Sequence, residues 1–429
     1  MKILVLAGDG IGPEITAATL AVLERANGLF KLGLEWQHDE VGLVPLKREG
    51  TTLPPRVMDA ARAAAGVILG PLSTYEYPPR EQGGINASGA MRIELDLYAN
   101  VRPARSRLGV GLTGKPVDLV IYRENTEGFY ADRNMYLGLG EFMPTEDMAL
   151  AVRRVTAKCC NRIARRAFEA AMRRRKEVTA VHKANVFRIS DGLFLREVRK
   201  VAEEFPEVRL EEVIVDAMAA LILRDPMRFD VIVAENMYGD ILSDEASELS
   251  GGLGLAGSIN AGDRFCVAQA QHGSAPDIAG KDKANPTSLI LSAAMLLEWI
   301  GARSGNAALT AAARSIDAAV DAALKNPATR TADLGGTLLA YLAWKQDTAG
   351  QKLEDRDGLT PEQRFFVAYA QSWCTNERVE NKRLRATVDP HSPEKYRANG
   401  VVANLPEFRE AFRCKAGQPM VRETACRVW

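Results

Sequence analysis

The residues best placed to do chemistry lie in the stretch 236–248, N-M-Y-G-D-I-L-S-D-E-A-S-E. Asp240 and Asp244 are four apart, so on a helix both carboxylates project from one face. Two such charges repel unless a cation sits between them, and a site of oxygen ligands alone suits Mg²⁺ or Mn²⁺ rather than zinc. An isolated D-x-x-x-D is equally compatible with a solvated helix face. It acquires meaning only if a third carboxylate, a base and anion-binding arginines stand nearby.

The chain offers candidates for each. Arg92 and Arg102 lie in 88–103, S-G-A-M-R-I-E-L-D-L-Y-A-N-V-R-P, which reads as a helix running into a strand, and Arg123 follows in Y-R-E-N-T-E-G-F-Y. Strand interiors rarely hold unpaired guanidinium groups. These three either form a pocket for a di- or tricarboxylate, gripped by planar bidentate forks, or close internal salt bridges to Glu94, Asp96 or Glu124. An apolar strand over 178–181 delivers His182, Lys183, Ala184 and Asn185 at its end, and another over 212–215 delivers Asp216. Strand ends are where α/β sheets usually build sites. The loop H-G-S-A-P-D-I-A-G-K, beginning at His272, has small residues that let backbone N–H groups approach a ligand.

The elements that must position these groups alternate between strand and helix patterns: a buried strand at 3–6, a glycine-rich turn G-D-G-I-G-P-E, a helix over 55–65 and a strand over 66–70. Gly239 reads as the turn into the helix that carries the aspartates. Helices are expected over 285–300 and 307–324, and a long arginine-rich helix over 146–176. Such alternation implies an α/β sheet. The basic end of the 146–176 helix, Arg173 to Lys176, lacks interleaved aromatic residues and reads as a solvated face favoured by the helix dipole.

Bulk composition excludes several classes. The 55 basic and 55 acidic residues cancel, so no global field draws nucleic acid or an acidic membrane. No stretch approaches the length of a membrane span. Six cysteines without a C-x-x-C give neither a zinc knuckle nor a redox pair, and adjacent Cys159 and Cys160 cannot easily bond each other. A reducing, cytoplasmic setting is the expectation.

Seven segments in order resemble the metal-dependent β-decarboxylating dehydrogenases, the isocitrate/isopropylmalate dehydrogenase family: G-D-G-I-G-P-E, L-D-L-Y-A-N-V-R-P, R-E-N-T-E-G-F-Y, H-K-A-N-V, V-D-A-M, G-D-I-L-S-D and H-G-S-A-P-D-I-A-G-K-D-K-A-N-P. The resemblance covers residues 1 to about 336. It implies a two-domain α/β fold of the isopropylmalate-dehydrogenase type, distinct from Rossmann. Residues 1–98 and 251–336 would form a large domain, and 99–250 a small domain that pairs with a second subunit. By motif match, Arg92, Arg102 and Arg123 would hold substrate carboxylates. Asp240 and Asp244 would bind Mg²⁺ or Mn²⁺ with the partner's Asp216, and the partner's Lys183 would be the base for the substrate hydroxyl. Tyr130 would protonate the enol left after CO₂ departs. His272, Gly273, Ser274, Ala275, Asp277, Ile278 and Asn285 resemble an adenosine-binding loop. Asp277-Ile278 is similar to its NAD type, whose carboxylate takes ribose hydroxyls and repels the extra phosphate of NADP.

Ser88 stands where isopropylmalate enzymes place a leucine, which favours a more polar substituent. Isocitrate, homoisocitrate and tartrate are the candidates, although Gln269 replaces the glutamate usual before the histidine loop. The end of the chain resembles something else. From about Ala332 to Trp429 it is similar to the C-terminal end of neprilysin-type zinc endopeptidases, with His391 and Arg397 at that family's transition-state and carboxylate-binding positions. There is no H-E-x-x-H among only four histidines, and Thr329 occupies the third ligand position. A zinc peptidase is therefore disfavoured. Cys374, Cys414 and Cys426 should be free thiols, and the extension over 337–429 should be largely helical or poorly ordered, at risk of exposing Phe365, Phe366 and Trp373. A chimera whose tail disables the enzyme and leaves a binding protein is the remaining alternative.

Overall fold

The computed structural model describes residues 1–107, 115–130, 134–136, 138, 140–281, 283–325, 354–355, 358–371 and 406–414. Met1–Lys325 form one compact unit and Asn326–Trp429 a second. In chain order the first unit comprises β1 (Lys2–Leu6), α1 (Gly12–Phe30), β2 (Glu35–Asp39), α2 (Leu43–Glu49), α3 (Pro55–Ala63), β3 (Gly66–Leu69), α4 (Ala87–Glu94), β4 (Ala99–Arg105) and β5 (Asp118–Glu124). The hairpin β6 (Glu141–Thr145) and β7 (Met148–Ala151) follows, then α5 (Ala157–Ala171), β8 (Glu177–His182), α6 (Ser190–Glu203), β9 (Arg209–Ile214) and α7 (Val215–Arg224). The unit closes with β10 (Val231–Ala234), α8 (Asn236–Ser250), β11 (Ile259–Ala261), β12 (Cys266–Gln269), α9 (Thr287–Ser304) and α10 (Ala307–Lys325).

Ten strands make one sheet in the order β2-β1-β3-β12-β11-β4-β5-β10-β8-β9. Both flanks are parallel, and the centre is antiparallel where β11 meets β12 and β4, and β4 meets β5. β3 and β10 are buried at every position, as continuous apolar runs in a parallel sheet covered by helices on both faces require. The expected α/β class is correct, and the antiparallel centre separates it from a Rossmann sheet. The flank β2-β1-β3-β12 packs its apolar side chains into two cores, one with α1, α9 and α10 and one with α3 and α4. The other flank has its own two cores, one built on α5 and α6 and one on α7 and α8. The central antiparallel strands are the seam between these two sets of cores.

The long helix expected over 146–176 is not formed. Residues 141–151 are instead a hairpin whose strands are exposed at every position, and its turn is closed by Thr145 Oγ1 donating to Asp147 at 2.6 Å. The helix starts only at Ala157, where the Thr156 hydroxyl accepts the Cys159 N–H, a cap that periodicity alone does not reveal. Nor is the basic end of that segment merely solvated. Arg174 pairs with Asp118 and with buried Asp230, and Arg175 donates to the Phe229 carbonyl at 2.6 Å. Gly239 also has a different reason from the one expected. It lies inside α8, and a Cβ there would stand 2.7 Å from the Arg123 Cβ; the residue is small so that the helix can press against that arginine.

In the second unit, α11 (Pro361–Gln371) starts with a reciprocal cap. The Gln363 N–H donates to the Thr360 hydroxyl at 3.2 Å, and the Thr360 N–H to Gln363 Oε1 at 3.0 Å. It meets α12 (Pro406–Ala411) through the edge-on contact of Phe366 with Phe408, while Phe365 packs edge-on against Phe366 within α11. Phe366 is buried, contrary to the expected exposure. Cys414 is a free thiol, as are Cys159, Cys160 and Cys266; Trp373, Cys374, Cys426, Thr329, His391 and Arg397 lie outside the described residues. Among the described residues, no helix is long and apolar enough to cross a membrane.

Candidate active site

Asp240 and Asp244 project from α8 beside β4 and β5, where the structure brings Arg102 and Arg123 to meet them. Neither arginine pairs with Glu94, Asp96 or Glu124. Arg102 Nη1 lies 3.2 Å from Asp240 and 3.0 Å from Asp244, so in the protein alone it is the cation between the two carboxylates. Arg123 pairs with Asp240, and its Nε donates to Asn236 Oδ1 at 2.8 Å. Asn236 is fixed in turn by donating to the Glu127 carbonyl at 2.7 Å. Tyr130 donates its hydroxyl to the other Asp240 oxygen at 2.8 Å, and the Arg123 guanidinium lies 5.4 Å from the centre of its ring. Arg92 stands close enough for its charge to favour the ionised forms of both Asp240 and Tyr130.

The electrostatics of this cluster are unbalanced in both directions. Burial and the adjacent Arg123 push the Arg102 pKa down, so two guanidinium groups are crowded together. Burial raises Asp240, but Arg123 and Arg102 outweigh it and its carboxyl ends below its ordinary value. Asp244, with half its side chain exposed, stays above its ordinary value because burial of its inner side exceeds what Arg102 and Gln271 return. Crowded guanidinium groups call for an anion, and an under-neutralised carboxylate calls for a cation. The donors at the acidic side are all carboxylate oxygens, which fits a hard divalent ion. Tyr130 has its pKa raised, first by burial, with Arg123 opposing, so it holds its proton at neutral pH.

Lys183 and Asp216 form a second, separate group. Lys183 leaves the end of β8 and its ammonium pairs with Asp216 in the first turn of α7. Asp216 is 68% exposed and Lys183 25% exposed. Among the described residues, no three histidine, cysteine or acidic side chains gather closely enough to hold a metal. Asp216 therefore does not join Asp240 and Asp244 within one chain.

Ser88, near the start of α4, donates to Gln269 Oε1 at 2.8 Å. The two positions at which the sequence departs from its nearest patterns thus touch. Gln271 Nε2 donates to Asp244 at 2.9 Å, which ties the acidic pair to the start of the histidine loop. That loop is built against the first β–α turn. The Ile11 N–H donates to the Ser274 carbonyl at 2.8 Å, and a Cβ on Gly10 would stand 2.0 Å from that oxygen. Ser73 Oγ donates to Ser274 Oγ at 2.9 Å, and Gly280 N–H to Glu14 at 3.1 Å. Ala275 holds a positive φ of 37°, Ile278 N–H closes a turn onto its carbonyl, Lys281 donates to the Asp277 carbonyl, and Asn285 Oδ1 accepts the Thr287 N–H at the start of α9. His272 Nδ1 lies 3.0 Å from the Gly273 carbonyl. Nothing lies within 4 Å of where a Gly273 Cβ would stand, so the loop keeps an open face.

Sequence reasoning passed over Asn236 and Gln271, which orient Arg123 and Asp244. It also passed over Asp9, whose carboxylate accepts N–H groups of Leu43 and Ser73 and the Tyr77 hydroxyl and so anchors the loop after β3. Asn236 lies inside the stretch singled out, but an amide that serves a distant strand has no local pattern.

The isocitrate/isopropylmalate dehydrogenase family profile matches residues 2–349, and Peptidase family M13 matches 322–428. The two overlap around the expected junction. The chain is 44% identical over 339 residues to the isocitrate/homoisocitrate dehydrogenase of Thermus thermophilus, covering 78% of this chain and 94% of that relative. It is 41% identical over 345 residues to the 3-isopropylmalate/3-methylmalate dehydrogenase of Methanocaldococcus jannaschii, covering 79% and 96%. The crystal structure of isocitrate dehydrogenase from Methylococcus capsulatus resembles it with a TM-score of 0.69 at 40% identity, over 78% of this chain and 94% of that one. The chain belongs to the isocitrate/isopropylmalate dehydrogenase family.

Proposed function

We propose that the protein oxidises and decarboxylates a 3-substituted malate with NAD and Mg²⁺ or Mn²⁺, in a homodimer whose two active sites each use residues of both subunits. The observation that carries this reading is the cluster of Arg102, Arg123, Asp240, Asp244 and Tyr130, which sets two guanidinium groups against two carboxylates and, among the described residues, has no lysine of its own. A metal-bound carboxylate substrate would offer the arginines an anion and the aspartates a cation. The partner's Lys183 and the partner's Asp216 supply the base and the third carboxylate.

In this reading Arg92, Arg102 and Arg123 hold the substrate carboxylates and turn its hydroxyl toward Lys183. The partner's Lys183 would take the hydroxyl proton, and a bound nicotinamide would supply the hydride acceptor. Asp240, Asp244 and Asp216 of the partner subunit would hold Mg²⁺ or Mn²⁺, which when bound acts as a Lewis acid on the forming carbonyl oxygen. Tyr130 delivers its proton to the carbon that has lost CO₂. The open face at Gly273, with His272, Ser274, Ala275, Asp277, Ile278 and Asn285 around it, receives the adenosine end of the cofactor. An Asp277 carboxylate there suits free ribose hydroxyls and disfavours an added phosphate.

Two further features support the dimer and the substrate class. The apolar side chains of Phe142, Met143, Met148 and Leu150 on the exposed hairpin, together with Val186, Ile189 and Ile241, face solvent in the isolated chain. Exposed apolar surface of this kind marks an interaction site. The Ser88–Gln269 pair presents polar atoms where an isopropyl group would need apolar ones, so isocitrate, homoisocitrate or tartrate is preferred. The reading also assigns a large domain to 1–98 and 251–336 and a small domain to 99–250, and the separate cores on the two flanks of the sheet, within residues 1–325, support it. The free thiols of Cys159, Cys160, Cys266 and Cys414 support a reducing, cytoplasmic setting.

The test is NADH production with Mn²⁺ and NAD from isocitrate, homoisocitrate, tartrate and isopropylmalate. Turnover on one of the polar substrates that is lost in Lys183→Met supports the reading. Turnover with NADP alone, or with isopropylmalate above the others, contradicts it.

A further inference from the structure

Arg153 lies between β7 and α5, outside every motif that carries the family resemblance, yet its side chain is only 6% exposed. It sits between two carboxylates that are also buried, Asp191 at 2% and Glu235 at 8%. Each of these acids divides its two oxygens in the same way. Asp191 gives one oxygen to Arg153 and accepts the Lys183 backbone N–H on the other at 2.5 Å. Glu235 lies 3.5 Å from Arg153 Nη2 through one oxygen, and with the other accepts the Tyr238 N–H at 2.9 Å, capping α8. The guanidinium therefore joins the strand end that bears Lys183 to the helix that bears Asp240 and Asp244.

Three aromatic rings close around the same cation, with centroids 5.5 Å away for Phe129, 5.3 Å for Phe187 and 5.3 Å for Tyr238. Each ring belongs to a functional segment. Phe129 precedes Tyr130, Phe187 donates its N–H to the Lys183 carbonyl at 2.9 Å, and Tyr238 stands two residues before Asp240. A planar fork can serve two acids at once in fixed directions, which a lysine ammonium cannot. A buried ion triad of this kind adds little net stability, so its best-supported use is to fix register.

We infer that Arg153 is a positioning residue that holds the Lys183, Tyr130 and Asp240 segments in one geometry. This rests on the roles proposed above for those three residues. Lys183 serves the partner's site and Asp240 its own, so the same guanidinium also connects the two active sites of the dimer. Loss of the fork should misplace the base and the metal carboxylates together.

The test uses the full-length dimer with Arg153→Lys, which keeps the charge but not the fork, and Asp191→Asn, which keeps the cation but weakens its hold. The readouts are kcat and KM, the pH profile of kcat, and Mn²⁺ affinity of the cofactor-free protein. The expected result is a folded dimer whose kcat falls about 10- to 100-fold with substrate KM little changed, since misplaced groups penalise the reacting geometry. The acid limb of its pH profile should move, and Mn²⁺ should bind on the order of tenfold more weakly, as for lost outer-sphere support. If Arg153→Lys yields no folded dimer, Asp191→Asn is read in the same way. A variant that loses only melting temperature, with wild-type kcat, pH profile and Mn²⁺ affinity, overturns the inference. Lys183→Met run in parallel separates the two levels: full activity in that variant removes the assignment of the base, whatever Arg153 does.

Discussion

The Arg102–Asp240 cluster and the Lys183–Asp216 pair are both charged sites beside strands of one sheet, but they are built on opposite plans. The first is packed between β4, β5 and α8. Arg102 and Arg123 each touch an acid in it, and a second layer of Asn236, Gln271 and Ser243 fixes the geometry. The second is a single ion pair, with the Asp216 side chain mostly in solvent. Exposed pairs of that kind contribute little to stability. The packed cluster has no lysine among its described residues, and the exposed pair offers one with no pocket around it. Under the proposed function the difference has a simple reason: one chain would hold two halves of different active sites, which two-fold pairing would complete.

The largest expected effect tests the exposed half. Lys183→Met should lower kcat by about three orders of magnitude, the range of a lost general base, while leaving the melting temperature nearly unchanged because its ion pair is solvated. A large drop in melting temperature would show that the pair is structural. In the packed half, Asp240→Asn should abolish the response of turnover to Mn²⁺ and also loosen Arg102 and Arg123. Its stability cost of about 1–3 kcal/mol, from guanidinium groups left buried without their acid, is read by denaturant titration. Gly239→Ala sharpens the comparison without touching charge. The added methyl must displace Arg123, at about 1–3 kcal/mol of overpacking, so KM for the carboxylate substrate should rise more than kcat falls.

The smallest catalytic effect is expected far from both halves. Asp317 and Asp321 on α10 close a four-membered ion network with Arg105 and buried Arg107. Burial opposes ionisation of Asp321, but the two arginines prevail and hold its carboxyl below the ordinary value. A depressed carboxyl stabilises the fold above its unfolded pKa, and that contribution is lost as pH falls through the lowered value. Asp321→Asn should therefore melt lower than the parent near neutral pH, by about 1–2 kcal/mol because Asp317 still serves Arg107. The gap should close as pH falls through that lowered value, with turnover unaffected. A gap that widens on acidification would contradict the sign.

Much of the packed half is legible in the sequence because its residues sit in short apolar strands and on one helix face, where spacing alone sets direction. Asp240 and Asp244 pair from a period of four, and Arg102 and Arg123 stand out as charges in runs that should be buried. The alternation of strand and helix likewise carries the α/β class. What escapes has a common cause in long-range pairing. Asn236 is read only once β5 is known to lie beside α8, and Arg153 only once the hairpin replaces the helix expected over 146–176. Exposed, apolar β6 and β7 look like helix faces to a periodicity argument because nothing among the described residues of the same chain covers them. Phe366 reads as solvent-exposed because its partner, Phe408, lies 42 residues further on.

The central claim is that the two halves meet across subunits, and a mixture of two inactive proteins tests it most directly. Lys183→Met and Asp240→Asn dimers, each purified, would be combined under conditions that allow subunit exchange and assayed for NADH formation with Mn²⁺. In each mixed dimer one site receives both lesions and the other neither. Random exchange should therefore restore activity to about a quarter of the parent value, as expected for one intact site in half of the two-fold dimers. Mixed dimers that form, as confirmed by mass, but stay as inactive as their parents would show that Lys183 and Asp240 act within one chain.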